Sequence, residues 1–260
     1  MHPVIFTIGS FELRFYGLMY VIAIIIGSFL LRSEVRRKGI ALSDDETLNF
    51  LMWVIIGGIV GARIYYVIFN LGYYMDYPVE IPAVWHGGLA IHGGIIGGLV
   101  AGVIYLKRKS VSFWPMADAC APVLIQGQCF GRIGNFMNGD AHGMPTDMPW
   151  GIVFSAESIA GREFPGIPLH PTMLYELILN FSIFLFLWLF MRKREYKSGF
   201  VFALYIALYS GGRFFVEIFR ADSLMIGPLK TAQVISIALV LGAVLVILTK
   251  KLYFRKAEEA

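Results

Sequence analysis

The densest group of residues that could do chemistry lies in one stretch near the middle of the chain. Residues 127–143 read GQCFGRIGNFMNGDAHG. Arg132 and Asn135 place a guanidinium and a carboxamide beside Gly131 and Gly134, and a ligand can approach these glycines closely because they have no Cβ. This combination is typical of a site for an anionic, oxygen-rich head group. The alternative is a Gly-rich helix end that is capped by polar side chains.

The composition places this stretch in a membrane protein. Of the 260 residues, 57% are hydrophobic and 15% are charged, and the mean hydropathy is +0.68. Such values argue against a soluble domain and favour a polytopic membrane protein. An arginine at membrane depth costs about 2.5–3.5 kcal/mol even on the lenient insertion scale. This cost weakens the helix-end interpretation of Arg132.

Seven apolar runs are long enough to cross a bilayer, which takes about 20 residues. They lie at about residues 14–31, 48–69, 87–106, 112–131, 172–191, 199–219 and 231–249. We therefore predict an all-α membrane protein with seven transmembrane helices. The proline-containing segment at about 139–171 is predicted to form a small ordered head outside the membrane, with a flexible loop as the alternative.

Basic residues follow the odd-numbered runs. They are concentrated at residues 32–38, 107–109, 192–197 and 250–256. By the positive-inside rule, the N-terminus lies outside and the C-terminus is cytoplasmic. The same asymmetry explains the basic clusters, so we expect no nucleic-acid partner.

Several polar residues then fall at one depth, in the outer half of the bilayer. With a rise of 1.5 Å per residue, Arg63 and Arg213 lie roughly 22 and 21 Å from the cytoplasmic edge. Arg132, Tyr16 and His92 reach a similar depth. Because isolated ion pairs would be scattered, this convergence of five helices predicts a shared site.

Residues on the sixth run extend the predicted site. Tyr209, Arg213 and Glu217 are spaced four apart and therefore lie on one helix face. The alternative is an Arg213–Glu217 pair that satisfies itself and only fixes packing. His92 is either a histidine of the core or a proton acceptor.

The sequence offers no pattern typical of a metal site. His86 and His92 are six residues apart, which turns them to different faces of a helix. Cys120 and Cys129 lie in an apolar run and are expected to be buried without a role in the chemistry.

The chain resembles the prolipoprotein diacylglyceryl transferase family. The resemblance covers nearly the whole chain and rests on motifs at residues 15–20 (FYGLMY), 91–94 (IHGG), 131–139 (GRIGNFMNG), 170–171 (HP) and 174–176 (LYE), and on Arg213, Glu217 and Arg220. The motif at 131–139 is the most specific of these. One departure is Asp140, where the family is expected to carry Glu, so the partner of this carboxylate is not predictable.

The resemblance implies a bacterial enzyme of the cytoplasmic (inner) membrane that needs no metal or organic cofactor. Its substrates would be phosphatidylglycerol and the lipobox cysteine of a prolipoprotein signal peptide, and its products a diacylglyceryl thioether and glycerol phosphate. We expect Arg132 to bind the phosphate, Arg213 to stabilise the leaving group and His92 to deprotonate the thiol. The other expected substrate-binding residues are Asn135, Asn138, Asp140, Gly143, Tyr16, Tyr209 and Glu217.

Two other classes of protein fit parts of the pattern. An anion transporter or channel could also use intramembrane arginines, although the chain has no visible internal repeat. A CDP-alcohol-type phosphotransferase would need several clustered aspartates, and only Asp140 and Asp147 lie near the motif.

Overall fold

The computed structural model describes residues 4–9, 11–221 and 223–253. These residues form two short hairpins and nine α-helices. The elements are β1 Val4–Ile8, β2 Phe11–Arg14, α1 Phe15–Arg37, α2 Asp44–Phe69, α3 Leu71–Asp76, α4 Ile91–Arg108, α5 Phe113–Asn138, α6 Ile159–Glu163, α7 Thr172–Leu185, α8 Phe200–Glu217, β3 Met225–Ile226, β4 Leu229–Lys230 and α9 Thr231–Thr249. The chain divides into two compact units, one of residues 31–116 and one of residues 1–30 with 117–260.

Five helices in the described part of the chain are long and apolar enough to cross a membrane. They are α1, α2, α7 with its continuation to Lys193, α8 and α9. The prediction of an all-α, multi-pass membrane protein is therefore confirmed at this level. Helices α4 and α5 overlap the predicted runs at 87–106 and 112–131 but are not among these five, so the number seven stays a prediction.

Among the helix boundaries that differ from those read from the sequence, two are explained by glycine conformations. Helix α4 begins at Ile91 because Gly87 and Gly88 adopt φ angles of 87° and 73°, which a helix does not allow. Helix α5 continues through the glycines of the central motif and ends before Gly139, whose φ is 70°. The motif is thus part of a helix and not only the cap of one.

In the unit of residues 31–116, glycines allow α2 and α4 to touch through their backbones. A Cβ on Gly57 would lie 2.9 Å from the carbonyl oxygen of Gly97, and a Cβ on Gly61 would lie 2.8 Å from the Cα of Gly97. Only glycine permits this approach. The tightest contacts on α4 involve Gly93 and Gly97.

Arg63 is used inside the same unit. Its side chain is buried and donates to the carbonyl oxygens of Ile81 at 2.8 Å and Gly88 at 3.0 Å, and also to those of Glu80 and Gly87. The guanidinium therefore fastens the connection between α3 and α4 to α2. The structure thus gives Arg63 a structural role, and its part in a shared site stays a prediction.

In the unit of residues 1–30 and 117–260, both ends of α8 are anchored. At its start, the buried carboxylate of Asp118 on α5 accepts hydrogen bonds from the amides of Gly199 and Phe202, both at 2.9 Å. At its end, the Lys230 ammonium donates to the carbonyl oxygens of Glu217 and Arg220, both at 2.7 Å. Such bonds fix α8 along its axis.

The connection between α5 and α7 has a small core of its own. Phe154, Ala160 and Leu169 are buried there together with Met173 of α7. The backbone amide of Ile152 donates to the carbonyl oxygen of Leu169, and the return bond is also formed, each at 3.0 Å. The segment is packed and hydrogen-bonded, which favours the predicted ordered head over a flexible loop.

A candidate anion site on three helices

The centre of the candidate site is one buried carboxylate, Glu176 on α7, whose side chain is 1% exposed. Arg132 of α5 forms an ion pair with its Oε2 atom, and Arg213 of α8 forms one with its Oε1 atom. The Nη1 atom of Arg220 lies 3.5 Å from the same Oε1 atom. Glu176 thus joins arginines that are far apart in the sequence.

A second buried carboxylate, Glu217, supports the same arginines. Its Oε2 atom lies 2.7 Å from Nη2 of Arg213 and 3.8 Å from Nε of Arg220. The hydroxyl of Ser223 donates to its other oxygen. The Arg213–Glu217 pair anticipated from the helix spacing is present, but it is one part of a larger cluster.

The cluster gathers several guanidinium groups in one place. Those of Arg132, Arg213 and Arg220 lie around the carboxylates of Glu176 and Glu217. The side chains of Arg132 and Arg213 are each 18% exposed, so they are mostly buried but remain accessible to a ligand. A planar guanidinium has five N–H donors and pairs with phosphate through two parallel hydrogen bonds. The partly exposed N–H donors of Arg132 and Arg213 therefore suit the oxygens of a phosphodiester.

A chain of hydrogen bonds connects Arg132 to the loop after α5. Nη1 of Arg132 donates to Oδ1 of Asn135 at 3.3 Å, and Nδ2 of Asn135 donates to Oδ1 of Asp140 at 2.9 Å. The amide is therefore oriented by both neighbours. These bonds identify the partner of Asp140 that the sequence left open.

Tyr16 at the start of α1 also lies against the central motif. A Cβ on Gly134 would lie 2.7 Å from Cδ2 of the Tyr16 ring, so the ring packs where only glycine leaves room. The hydroxyl of Tyr20 donates to that of Tyr16 at 3.3 Å. The structure thus brings Tyr16 to the helix that carries Arg132.

The other predicted binding residues of this unit occupy less direct positions. Gly143 is buried, its amide donates to the carbonyl oxygen of His170 at 2.9 Å, and a Cβ there would lie 2.5 Å from that of His170. Tyr209 stacks on Tyr205 with 6.1 Å between ring centroids. Asn138 is the last residue of α5 and is half-buried. Their roles in binding stay predictions.

His92 belongs to the other unit. It lies on α4, is exposed, and its ring centroid is 6.1 Å from that of Tyr65. The structure brings Tyr16, Arg132 and Arg213 into one unit but describes His92 only within residues 31–116. Its role as the thiol base stays a prediction.

Sequence reasoning gave no site role to Glu176 or Arg220, although both stood in recognised motifs. In the motif at residues 174–176, the hydroxyl of Tyr175 lies 3.0 Å from the Nδ1 atom of His170. The signal that could have identified Glu176 is a carboxylate inside an apolar helix, which requires a cationic partner. That partner could have been sought among the arginines at the same depth.

The described residues contain no group of three or more His, Cys, Asp or Glu side chains that could hold a metal ion. Both cysteines are free thiols on α5. The Cys129 thiol is buried and donates to the carbonyl oxygen of Ile125 at 3.3 Å. That bond is internal to the helix.

Comparison with known proteins gives a consistent result. The family model for prolipoprotein diacylglyceryl transferase matches residues 3–249. The chain is 44% identical over 253 residues to the phosphatidylglycerol–prolipoprotein diacylglyceryl transferase of Clostridioides difficile, covering 96% of this chain and 97% of that protein. It is 46% identical to the enzyme of that name from Fervidobacterium nodosum, covering 91% and 80%, and 38% identical to that from Geobacter sulfurreducens, covering 96% and 95%.

Proposed function

Because the chain belongs to the prolipoprotein diacylglyceryl transferase family, we propose that it transfers the diacylglyceryl group of phosphatidylglycerol to the lipobox cysteine of prolipoproteins. One observation carries the proposal for the site: Glu176 holds the guanidinium groups of Arg132 and Arg213 together in a partly enclosed cluster. A phosphodiester is the substrate group that this cluster fits.

The reaction replaces a carbon–oxygen bond by a carbon–sulfur bond. The cysteine sulfur attacks the glyceryl carbon next to the phosphate, and the bond between that carbon and the phosphate oxygen breaks. The bonding electrons stay on the oxygen of glycerol phosphate. The thiol proton is removed by a base and is balanced by the proton uptake of the released phosphate monoester.

Arg132 binds the phosphate in this proposal. Its fork can make two parallel hydrogen bonds to phosphate oxygens and keeps its charge when partly buried. Asn135, held between Arg132 and Asp140, restricts the guanidinium on one side. Glu176 restricts it on the other, so little side-chain entropy remains to be lost when the lipid binds.

Arg213 stabilises the charge that develops on the leaving oxygen. Its two carboxylate partners, Glu176 and Glu217, fix the guanidinium before the substrate arrives. A donor that is oriented in advance lowers the barrier because it need not reorganise during the reaction. The phosphate can share the N–H donors with Glu176 or take its place on them.

The proposed membrane topology is based on the uneven distribution of basic residues among the connections. Seven helices span the cytoplasmic (inner) membrane, with the N-terminus outside and the C-terminus in the cytoplasm. The connection at residues 139–171 forms a head on the outer side. The arginine cluster then lies near the outer leaflet, where a phospholipid and a membrane-anchored signal peptide can both reach it.

The direct test uses purified protein with phosphatidylglycerol vesicles and a peptide that contains a lipobox cysteine. Mass spectrometry should find the peptide heavier by one diacylglyceryl group, and a peptide with Cys→Ser should stay unmodified. Absence of the adduct with a folded protein, together with anion flux across the same vesicles, would instead support an anion channel.

A further inference from the structure

Three side chains near the arginine cluster have buried polar atoms that are unpaired. Both polar atoms of the Asn180 amide and the hydroxyl of Ser210 have no hydrogen-bond partner among the described residues, and the same holds for Oε1 of Gln128. Asn180 is 1% and Ser210 2% exposed. Buried polar groups in proteins are nearly always paired, so an unpaired set requires an explanation. We call Gln128, Asn180 and Ser210 the inner polar set.

The inner polar set lies one helical turn from the arginine cluster. On α7, Asn180 follows Glu176 by four residues; on α8, Ser210 precedes Arg213 by three. Glu176 contacts Arg213, and α8 runs antiparallel to α7. Asn180 and Ser210 therefore lie on the same side of the Glu176–Arg213 pair. Leu179 against Gly212 gives the same register, since a Cβ on Gly212 would lie 2.9 Å from Cδ1 of Leu179.

Helix α5 contributes to the set in the same way. Gln128 precedes Arg132 by four residues, which is one turn or about 5.4 Å along the axis. Its Nε2 atom donates to the hydroxyl of Tyr205 on α8 at 3.0 Å, while its Oε1 atom is unpaired. Three helices therefore each carry a charged residue in the cluster and a neutral polar residue one turn away.

This order of groups matches the order of groups in a glycerophospholipid. The phosphate is followed by the glyceryl carbons and then by two ester carbonyls, which are a few ångströms further towards the acyl chains. An ester carbonyl accepts hydrogen bonds but cannot donate one. The amide of Asn180 and the hydroxyl of Ser210 are donors of the complementary kind.

We propose that Asn180 and Ser210 of the inner polar set donate hydrogen bonds to the ester carbonyls of the diacylglyceryl group while the arginines bind the phosphate. This proposal rests on the proposed function and deepens it, because it specifies the substrate as a lipid with ester-linked chains. Two anchored points on either side of the reacting carbon fix that carbon in line with the attacking sulfur.

The test compares phosphatidylglycerol with its diether analogue, in which the chains are joined by ether bonds and the ester carbonyls are missing. Each lipid is supplied to the full-length protein with the lipobox peptide, and kcat/KM is measured from the thioether formed. The native protein should prefer the diester by about tenfold, the factor expected for one lost hydrogen bond of about 1.4 kcal/mol.

Asn180→Leu and Ser210→Ala should lower kcat/KM for the diester towards the value for the diether, while the diether value changes less than about twofold. Gln126→Leu is the matched control. Gln126 is also buried with an unpaired amide, but it is two residues from Gln128 and lies near Gly27 of α1. This control should leave the ratio of the two lipids unchanged.

The outcomes separate this inference from the proposed function. Equal use of the two lipids by the native protein would overturn the role of the inner polar set and leave the transferase activity standing. An equal loss on both lipids in Ser210→Ala would also overturn it, by indicating a packing role. If Asn180→Leu does not fold, Ser210→Ala decides the question. No product from either lipid would refute the proposed function itself.

Discussion

At the scale of single residues, the site depends on how charges are held inside an apolar bundle. Glu176 is almost completely buried and faces Arg132 and Arg213, with Arg220 somewhat further away. A buried carboxylate without cationic partners would be costly, and so would the arginines without it. The positions of the guanidinium groups are thus set by Glu176 together with Glu217.

Replacing Arg132 by lysine separates charge from geometry. Lysine keeps the positive charge but lacks the planar fork, so Arg132→Lys should lose nearly as much activity as Arg132→Ala. Turnover and affinity for phosphatidylglycerol are measured for both variants, and thermal melting checks that they fold. Near-normal turnover of Arg132→Lys would show that a point charge is sufficient.

Neutralising Glu176 should disturb both arginines at once. In Glu176→Gln we expect kcat to fall by about 10²-fold, because catalytic groups that are misplaced by about 1 Å cost this much. Glu195→Gln is the control, since Glu195 is exposed in the connection before α8. A Glu176→Gln protein that melts normally and keeps its kcat would contradict the positioning role.

At the scale of elements, α8 carries Arg213 and Glu217 and is held at both ends. Asp118 binds two amides at its start, and Lys230 binds the carbonyl oxygens of its last residue, Glu217, and of Arg220 beyond it. The charge signs also suit the helix dipole, since a carboxylate meets the N-terminus and an ammonium the C-terminus. The position of Arg213 and Glu217 along the helix axis is therefore fixed from both ends of α8.

Removal of the Asp118 carboxylate should destabilise the protein. Hydrogen bonds to charged groups contribute about 1.5–3 kcal/mol each, so Asp118→Ala should melt several degrees lower in detergent. Asp147→Ala is the control because Asp147 is exposed in the connection between α5 and α7. Identical melting of the native protein and Asp118→Ala would mean that α8 does not need this anchor.

The sequence predicted the helices better than the contacts between them. Apolar runs located the helices because crossing a bilayer takes about 20 apolar residues. The central motif indicated Arg132 and Asn135 as candidate binding residues. The Glu176 contacts could not be derived, because they depend on how α5, α7 and α8 pack. Likewise, spacing placed Arg63 at the same depth as Arg213, but only the fold of the connection after α2 shows that backbone carbonyls take up its donors.

At the scale of the whole molecule, the distribution of charge indicates how the chain lies in the membrane. Basic residues cluster in alternate connections, whereas the stretch between α5 and α7 has only Arg162 after the central motif. From the positive-inside rule we propose that the packed connection at residues 139–171 lies outside. The proposed reaction requires this orientation, because the signal peptide presents its cysteine at the outer surface.

Cysteine labelling in intact cells tests the orientation. In a background of Cys120→Ala and Cys129→Ala, an impermeant thiol reagent should modify Asp147→Cys and should not modify Ser198→Cys. Both positions are exposed in the structure, so a difference in labelling reports the side of the membrane. The opposite pattern would invert the proposed topology. The background protein should also keep most of its activity, since the reacting thiol belongs to the substrate.

The central claim is that the arginine cluster serves the transfer of a diacylglyceryl group with release of glycerol phosphate. The most direct measurement counts both products in one reaction of the purified protein, phosphatidylglycerol vesicles and lipobox peptide. We expect one glycerol phosphate for each thioether formed, and Arg213→Ala should slow the release of both by about 10²- to 10³-fold. Thioether without glycerol phosphate, or an Arg213→Ala protein with unchanged turnover, would contradict the account.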